Sequence, residues 1–369
     1  MANKYVTPAG AGDKDGSSWE NAFGATEFFA DIQTGGSIAD GDIYYLFTGT
    51  YTPTSALTIL GNKVQFIGVE NQTTLALAQI GNRPLIAMGG NRHLSGIDKV
   101  FSHLSYTTAN TGNGGEGIRF QTNCAVRHCD FLQTANANTI WQVDTRWVFE
   151  NCYAKTLATG SFSPFRITGA RGIVNNCVSE GGAGVLNNSA TTLNTIIINS
   201  SFGLQNVSVA INCTSYNCTV GGRAVRREDT IKNCNFVNCD TGLVSLTDEN
   251  FLPNCDNNNF YDCDTNYTDS LGNATPQIAG NNDTYLDPQF VDADNGNFAI
   301  GPNLRSKGIP SQFPNLNTTS YVDIGAVQIR EVLPAVDEVL AGIEYGANGT
   351  ELTGTLVSGG GSRPTVFFG

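Results

Sequence analysis

The chain is poor in charge, methionine and histidine. Its 369 residues include two methionines, three histidines and three tryptophans, and charged residues make up only 14% of the total. There are 20 Lys and Arg against 33 Asp and Glu, which gives a net charge of −13. Because a phosphate backbone would be repelled by this excess of acid, we predict no nucleic-acid partner.

The sequence also lacks long apolar runs. None approaches the roughly 18 to 20 residues that span a bilayer, so no membrane segment is predicted. The first five residues lead into a polar stretch over residues 7–18, without the apolar core of a secretory signal. We expect the protein to stay in the cell that makes it or to leave by lysis, unless a signal has been removed.

Glycine and asparagine are abundant, with 42 and 39 copies. Both are poor helix formers and good turn residues, which favours many short strands joined by tight turns over long helices. Hydrophobic residues make up 40% of the chain and include 20 phenylalanines, so a large core is available. This composition excludes a helical bundle and a wholly disordered chain.

All ten cysteines lie between Cys124 and Cys263, and most of them follow an asparagine. Cys129, Cys152, Cys177 and Ser200 follow one another at nearly equal intervals, and later Asn-Cys pairs recur in the same way. Such a period, about 21 to 25 residues, is typical of a solenoid, and the β-branched runs between the pairs are too short for helices. We therefore predict a parallel β-solenoid with coils stacked ~4.8 Å apart. The interval between Ser200 and Cys218 breaks the period, so either one coil is short there or the alignment of the coils in this region is wrong.

Each residue of the Asn-Cys pair has a predicted role. The asparagine accepts a left-handed backbone at a tight bend and bonds the equivalent amide one coil away, forming a ladder. The cysteine is a small, inward-facing apolar residue. Three Cys-x4-Cys pairs lack the two-residue spacing of zinc and redox motifs, so buried thiols are favoured, with disulfides and a metal site as the alternatives.

Both ends of the chain carry distinctive motifs. They are residues 15–52 (DGSSWENAFGATEFFADIQTGGSIADGDIYYLFTGTYT) at the start, and residues 286–292 (LDPQFVD), 295–298 (NGNF) and 322–327 (VDIGAV) towards the end. These motifs resemble the start and the closing coils of the right-handed parallel β-helix proteins of the pectate-lyase-like superfamily. The resemblance covers residues 5–328 and implies an all-β, right-handed parallel β-helix.

This resemblance also divides the chain. We predict an N-terminal cap over residues 1–40, the β-helix over residues 41–328, and a small C-terminal appendage over residues 329–369. Within the cap, Ser17 or Ser18 begins a predicted helix that runs from Trp19 to about Ile32 and covers the open end of the first coil. The first strand is predicted at residues 42–47.

Neither catalytic pattern of the superfamily can be carried over. Its lyases use carboxylates for calcium with an Arg base, and its hydrolases use clustered Asp residues with a His and an Arg-Lys pair. Here His93, His103 and His128 have no neighbouring acidic cluster, and the acid-rich residues 256–269 are interpreted as a solvated turn region rather than a calcium site. We predict no catalytic residue, no metal site and no cofactor, and therefore lean towards a protein that is not an enzyme.

Two features are candidates for ligand binding. Arg223, Arg226 and Arg227 form the only dense basic patch, expected in a loop that projects from the solenoid and could hold an acidic sugar or a carboxylate. Trp141 is predicted at the surface, where it could stack on a sugar ring, whereas Trp147 is predicted in the core. An unassigned surface role for the charges is the alternative.

The tail over residues 329–369 is predicted to dock onto another chain. It contains a helix-like stretch, a strand-like stretch, a Gly-Gly-Gly joint and an apolar end at Val366, Phe367 and Phe368. Such an end needs a sheet edge to add to. Residues 342–346 and 353–356 resemble a short C-terminal element of phage virion proteins, and a strand pair folded onto the last coil is the alternative.

These features lead to two hypotheses. The first is a non-enzymatic phage virion protein, a capsid decoration protein or a tailspike, which is homotrimeric, contacts capsid or other virion proteins and is made in the host cytoplasm. The second is a secreted β-helix protein that binds or degrades a polysaccharide, as a lyase or a glycoside hydrolase. Close acidic residues around a groove would favour the second.

Overall fold

The computed structural model describes residues 1–33, 36–54, 57–88, 94–96, 98–109, 116–120, 123–135, 138–142, 147–157, 162–167, 172–187, 191–225, 229–245, 255–269, 271, 282–305, 307–308, 323–327, 344–345 and 352–353. Most of these residues form or connect the strands of three parallel sheets, and the strands are numbered here in chain order.

Sheet 1 has eleven strands, each pairing in parallel with the strand one coil away. Its strands are β1 (Asn3–Val6), β2 (Ile43–Phe47), β5 (Val64–Val69), β8 (Lys99–Ser102), β11 (Ala125–Arg127), β14 (Val148–Glu150), β17 (Ile173–Asn175), β20 (Thr191–Leu193), β23 (Val209–Ile211), β26 (Thr230–Lys232) and β29 (Cys255–Asp256).

Sheet 2 has ten strands and follows sheet 1 in every coil. Its strands are β3 (Thr50–Tyr51), β6 (Leu85–Met88), β9 (Ser105–Thr108), β12 (Asp130–Gln133), β15 (Tyr153–Thr156), β18 (Val178–Glu180), β21 (Ile196–Ile198), β24 (Thr214–Tyr216), β27 (Asn235–Val237) and β30 (Asn259–Tyr261).

Sheet 3 has eight strands and completes each coil from the one that contains β8 and β9 onwards. Its strands are β10 (Glu116–Phe120), β13 (Asn138–Gln142), β16 (Phe165–Ile167), β19 (Val185–Asn187), β22 (Phe202–Gln205), β25 (Val220–Val225), β28 (Thr241–Ser245) and β31 (Thr265–Thr268). Two strand pairs lie outside the three sheets: β4 (Leu57–Ile59) with β7 (Leu94–Gly96), and β32 (Glu344–Tyr345) with β33 (Leu352–Thr353).

The chain therefore winds as a right-handed parallel β-helix, as the sequence predicts. From β2 onwards, neighbouring strands within a sheet are three strands apart in chain order, so each full coil adds one strand to each of the sheets it passes through. Parallel strands joined by such crossovers are almost always right-handed. Eleven strands at a spacing of ~4.8 Å give sheet 1 a height of about 50 Å.

Inward-facing rings stack along the axis of the helix. Phe66 lies between Tyr44 and Phe101, with ring centroids 5.3 and 5.2 Å apart, and Phe236 stacks on Phe260 at 5.1 Å. Burying each of these side chains contributes roughly 1.5 to 3 kcal/mol. The same inward positions in successive coils thus form a continuous core.

The predicted asparagine ladder is present at the bend between sheets 1 and 2. Asn151, Asn176, Asn194 and Asn212 have left-handed backbones with φ between 46° and 53°. The side-chain amide of Asn176 donates to Asn151 Oδ1, and that of Asn212 donates to Asn194 Oδ1 at 3.3 Å. A second ladder, formed by Asn199, Asn217 and Asn238, lies after sheet 2.

The cysteines follow the ladder residues and are free thiols, as predicted. Nine are buried, and Cys263 is half-buried. Several thiols donate to the carbonyl oxygen two residues earlier, as Cys152 does to Glu150 at 3.3 Å. Because they are buried and form no disulfide, they serve as apolar core residues.

The alignment of Cys177 with Ser200 is wrong. Val178 pairs with Ile196, which puts Thr195 one coil beyond Cys177, and Ile198 pairs with Tyr216, which aligns Ser200 with Cys218. The reason is that the coils here are shorter than their neighbours: on sheet 1, Ile173 pairs with Thr191 and Thr191 pairs with Val209. The sequence allows one short coil or a wrong alignment in this region, and the structure has two short coils.

The capping helix α1 is shorter than predicted and spans Ala25–Asp31. It does not begin at Trp19, because Phe23 exchanges backbone hydrogen bonds with Tyr5 and Thr7 and so has a strand-like conformation. The hydroxyl of Ser18 accepts the N–H of Asn21 in a turn rather than capping a helix. Strand β1, which the sequence does not predict, pairs with β2 and begins sheet 1.

The segment over residues 284–300 continues sheet 2 at a single position, where Thr284 pairs in parallel with Asn259 of β30, and then leaves the coil. With a 3-10 helix at Ala293–Asn295, it lies against the outer face of sheet 2, where Phe290 and Phe298 pack edge-on against Tyr216 at 5.9 and 5.4 Å. Residues 323–327 cover the same face, and the N–H of Ala326 donates to Thr214 Oγ1 at 2.9 Å. We call residues 284–300 the closing segment.

Among the helices in the described ranges, none has the length and apolarity to cross a membrane.

Candidate functional site

One register position of sheet 3 collects arginines from separate coils. The Cα partners along β10, β13, β16, β19, β22 and β25 are Arg119, Trp141, Arg166, Leu186, Gln205 and Arg223. We call these six residues the arginine row. Three arginines in one row are unusual in a chain with only 20 basic residues and a net charge of −13.

The row faces away from the core at the positions where side chains are described. Arg166 is half-buried between Phe165 and Ile167, which are both fully buried. Arg223 is exposed beside the buried Gly222. Since successive side chains of a strand point to opposite faces, these two arginines mark the outer face of sheet 3.

Arg223 lies on a strand and not in a projecting loop. Residues 220–225 form β25, which pairs with β22 on one side and β28 on the other. The prediction that Arg223 lies in a loop is therefore wrong. Its guanidinium carbon lies 4.3 Å from the centroid of the Phe202 ring, a cation–π contact that orients the charge along the surface. Arg226 and Arg227 lie outside the described residues.

Trp141 belongs to the same row as Arg223. The sequence presents them as separate candidates, but the register places Trp141 four strands from Arg223, about 19 Å at the usual strand spacing. The sequence gives no reason to single out Arg119 and Arg166, because successive members of the row are unevenly spaced along the chain and no fixed period connects them. Trp147, as predicted, is a core residue with 2% of its surface exposed.

The chemistry of the row suits a long anion. A guanidinium offers paired donors that match the two oxygens of a carboxylate, and its flat face also stacks on rings. The row crosses several strands, so an extended ligand can follow the solenoid axis. Arg223 and Phe202 together provide a charge and an apolar ring surface at one end.

The two described histidines take structural positions. His103 and His128 occupy the left-handed ladder position in earlier coils, with φ of 57° and 52°, and their rings stack at 4.6 Å. Burial, with further contributions from His128 and Arg83, lowers the pKa of His103 to about 4, so this imidazole is neutral near pH 7. His93 lies outside the described residues.

Charged side chains on the outer face of sheet 2 are paired with one another. Arg83 Nη1 lies 2.7 Å from Asp130 Oδ2, and Ser105 Oγ donates to the same oxygen at 3.2 Å. Further along the sheet, Lys155 and Tyr153 both contact Glu180. These groups neutralise one another and leave no free nucleophile or base among them.

A cavity of about 280 Å³ lies where the closing segment meets sheet 2. Its walls come from two sources, the last three strands of sheet 2 with their turns and the first half of the closing segment. They comprise Tyr216, Val237, Asn238, Tyr261, Asp262, Asp287, Pro288, Phe290 and Ala293. Within the part of the chain that the structure describes, no group of three or more His, Cys, Asp or Glu side chains is placed to hold a metal ion.

No protein-family model matches the chain, and a search of curated proteins finds no match. Solved structures with the same architecture do match. The crystal structure of the pectate lyase Pel9A superposes with a TM-score of 0.52 at 13% identity, over 89% of this chain and 96% of that one.

Two other lyases superpose less well. A mannuronic-acid-specific family 6 polysaccharide lyase from human gut microbiota gives a TM-score of 0.42 at 10% identity, over 73% of this chain and 66% of that one. A rhamnogalacturonan lyase gives 0.40 at 12% identity, over 86% and 97%. At these identities the likeness concerns the fold alone, and the superposition with the pectate lyase supports the parallel β-helix that the sequence predicts.

The virion interpretation stays a prediction. One of its grounds is the tail over residues 329–369, of which the structure describes only 344–345 and 352–353, the antiparallel pair of β32 and β33. Val366, Phe367 and Phe368 lie outside the described residues.

Proposed function

We propose that this protein is a polysaccharide-binding β-helix that takes an acidic polysaccharide along the arginine row of sheet 3. The observation that carries the proposal is the alignment of Arg119, Arg166 and Arg223 in one register position of an otherwise acidic protein. The net charge of −13 would repel a polyanion everywhere else, so attraction requires a concentrated basic row.

The shape of sheet 3 supports an extended ligand. Its eight strands form a surface about 34 Å long at the usual strand spacing, with the row running across the strands. A polymer that carries a carboxylate on each sugar can meet arginines from separate coils along the row, whereas a neutral polysaccharide offers no anion to an arginine. The superposition with a pectate lyase supports this ligand class, since pectate is a polymer of uronic acids.

The experiment is affinity electrophoresis of the protein in gels that contain polygalacturonate, alginate or neutral dextran. We expect retardation by one of the two acidic polymers and none by dextran. Arg223→Gln should weaken binding about tenfold, the effect of losing roughly 1.4 kcal/mol from one charged hydrogen bond. Arg166→Gln is expected to act in the same direction, with its unfolding curve measured in parallel because Arg166 is half-buried.

Arg127→Gln is the matched control. Arg127 is an exposed arginine on sheet 1 whose Nε lies 3.1 Å from Glu150, so its loss removes the same net charge from a different face. Equal weakening by Arg127→Gln and Arg223→Gln would show a non-specific charge effect and overturn the proposed site. The same samples, followed by ultraviolet absorbance for unsaturated uronate ends with and without calcium, test whether binding is accompanied by lyase cleavage.

A further inference from the structure

The cavity under the closing segment differs from the arginine row in chemistry and lies on another sheet. Tyr216, Val237 and Tyr261 are Cα partners on β24, β27 and β30 and form its floor. Asp287, Pro288 and Phe290 of the closing segment form the opposite wall. The volume of about 280 Å³ accommodates a small molecule and is too small for a polymer.

The second asparagine ladder stops at this cavity. Asn217 donates to Asn199 Oδ1 at 2.6 Å, and Asn238 donates to Asn217 Oδ1 at 3.3 Å. The next position, with φ of 54°, is Asp262. A carboxylate lacks the N–H donors of an asparagine amide, so Asp262 cannot extend the ladder to Asn238 as an asparagine does. Asn238 and Asp262, which are both exposed, therefore occupy neighbouring ladder positions at the cavity wall and present side-chain oxygens there.

Charge in and around the cavity is of one sign. Asp262 and Asp287 line it, and none of the nine lining residues is basic. A third carboxylate, Asp294, is close enough to raise the pKa of Tyr216, in addition to the larger effect of burial. The rest of the wall is aromatic or aliphatic, which does not provide the six to eight oxygens that calcium prefers.

We propose that this cavity binds a small organic cation, a guanidinium or primary ammonium group, between the Asp262 and Asp287 carboxylates and the ring of Tyr261. The cation donates to the two carboxylates and to the amide oxygen of Asn238. The aromatic and aliphatic wall contacts the carbon body of the ligand, and tyrosine rings favour a cation over a neutral group of the same shape. The site is independent of polysaccharide binding on sheet 3.

The test is calorimetric titration of the full chain with agmatine, which carries a guanidinium and an ammonium on a short aliphatic body. We expect saturable binding at one site. Asp262→Asn should weaken it about tenfold or more, while the thermal unfolding midpoint is kept, because an asparagine here can extend the ladder to Asn238. Asp287→Asn should also weaken binding while its side-chain oxygen still accepts the N–H of Gln289.

Asp264→Asn is the matched control, since Asp264 is an exposed carboxylate two residues from Asp262 that does not line the cavity. This variant and Arg223→Gln should bind agmatine as the unmodified chain does. Equal affinity of Asp262→Asn and the unmodified chain, or absence of saturable agmatine binding, would overturn the proposal. Displacement of agmatine by stoichiometric calcium would overturn it in favour of a metal site.

Discussion

Gly172 lies flat against the indole of Trp147 in the neighbouring coil, and a Cβ added to Gly172 would stand 1.8 Å from Cε2 and Cζ2 of that ring. Trp147 is among the largest fully buried side chains, so it has no room to move away. The pair fixes the distance between two coils at the bend into sheet 1.

We expect Gly172→Ala to destabilise the protein by about 1 to 3 kcal/mol, the range for overpacking a rigid core. The measurement is the free energy of unfolding in urea. Gly81→Ala is the control, because nothing lies within 4 Å of its added Cβ and only its φ of 92° is unfavourable. A cost for Gly172→Ala no larger than that of Gly81→Ala would contradict the packing argument.

The ladder at Asn176 combines a hydrogen bond with a left-handed backbone, and two substitutions separate these effects. Asn176→Gly keeps the φ of 51° without strain and loses the bond to Asn151, which should cost about 1 kcal/mol. Asn176→Ala also adds backbone strain of about 1 to 2 kcal/mol. We therefore expect the alanine variant to unfold at lower urea than the glycine variant, and the reverse order would show that the backbone is not strained.

The buried thiols should resist modification in the folded protein. Nine of the ten cysteines are buried, and only Cys263 is half-exposed. We expect at most one equivalent of an alkylating reagent to react with the native chain and ten to react in denaturant, as counted by mass spectrometry. If the cysteines stay unreactive towards the alkylating reagent after denaturation and react only once a reductant is added, they are disulfide-bonded.

Stability should fall at alkaline pH because of the same thiols. Burial is the main cause that raises the pKa of Cys177 and Cys234 well above the usual value, and hydrogen bonding with Cys218 is the largest cause that raises the pKa of Cys239 to about 12. Unfolded thiols ionise near pH 8.5, so between about pH 8.5 and 10 the unfolded state binds fewer protons and is favoured. Each such thiol contributes a loss of up to ~1.4 kcal/mol per pH unit.

The check is the pH dependence of the urea midpoint between pH 7 and 10. The midpoint should be flat below pH 8 and decline above it, with a smaller slope in Cys234→Ala than in the unmodified chain. An unchanged slope in this variant would mean that the Cys234 thiol ionises in the folded state too.

The predicted docking role of the tail can be tested by truncation. Removing residues 331–369 leaves residues 323–327, which contact sheet 2, so we expect the urea midpoint to be retained. If the tail docks onto sister chains, analytical ultracentrifugation should show a trimer for the full chain and a monomer for the truncated one. Replacing Val366, Phe367 and Phe368 together by serine should reproduce the monomer, and a trimer in both variants would place the interface elsewhere.

The sequence predicts the coils well because each coil repeats a local constraint. An asparagine that needs a left-handed bend, followed by a buried cysteine, marks the bend after sheet 1 without reference to other residues. The arginine row has no such local mark, since its members meet only after coils of different length are aligned. For the same reason, the cavity beside Asp262 could not be predicted, because its second wall is a segment that the sequence suggests will form closing coils.

The two consecutive short coils imply that the molecule can lengthen by whole units. Residues 191–208 contain one complete strand of each sheet and the ladder residue Asn194. A tandem duplication of their coding sequence would insert one further coil whose backbone partners above and below already match. The helix at one end and the closing segment at the other would be undisturbed. The number of coils, and with it the length of the surface on sheet 3, is therefore open to change by a single genetic event.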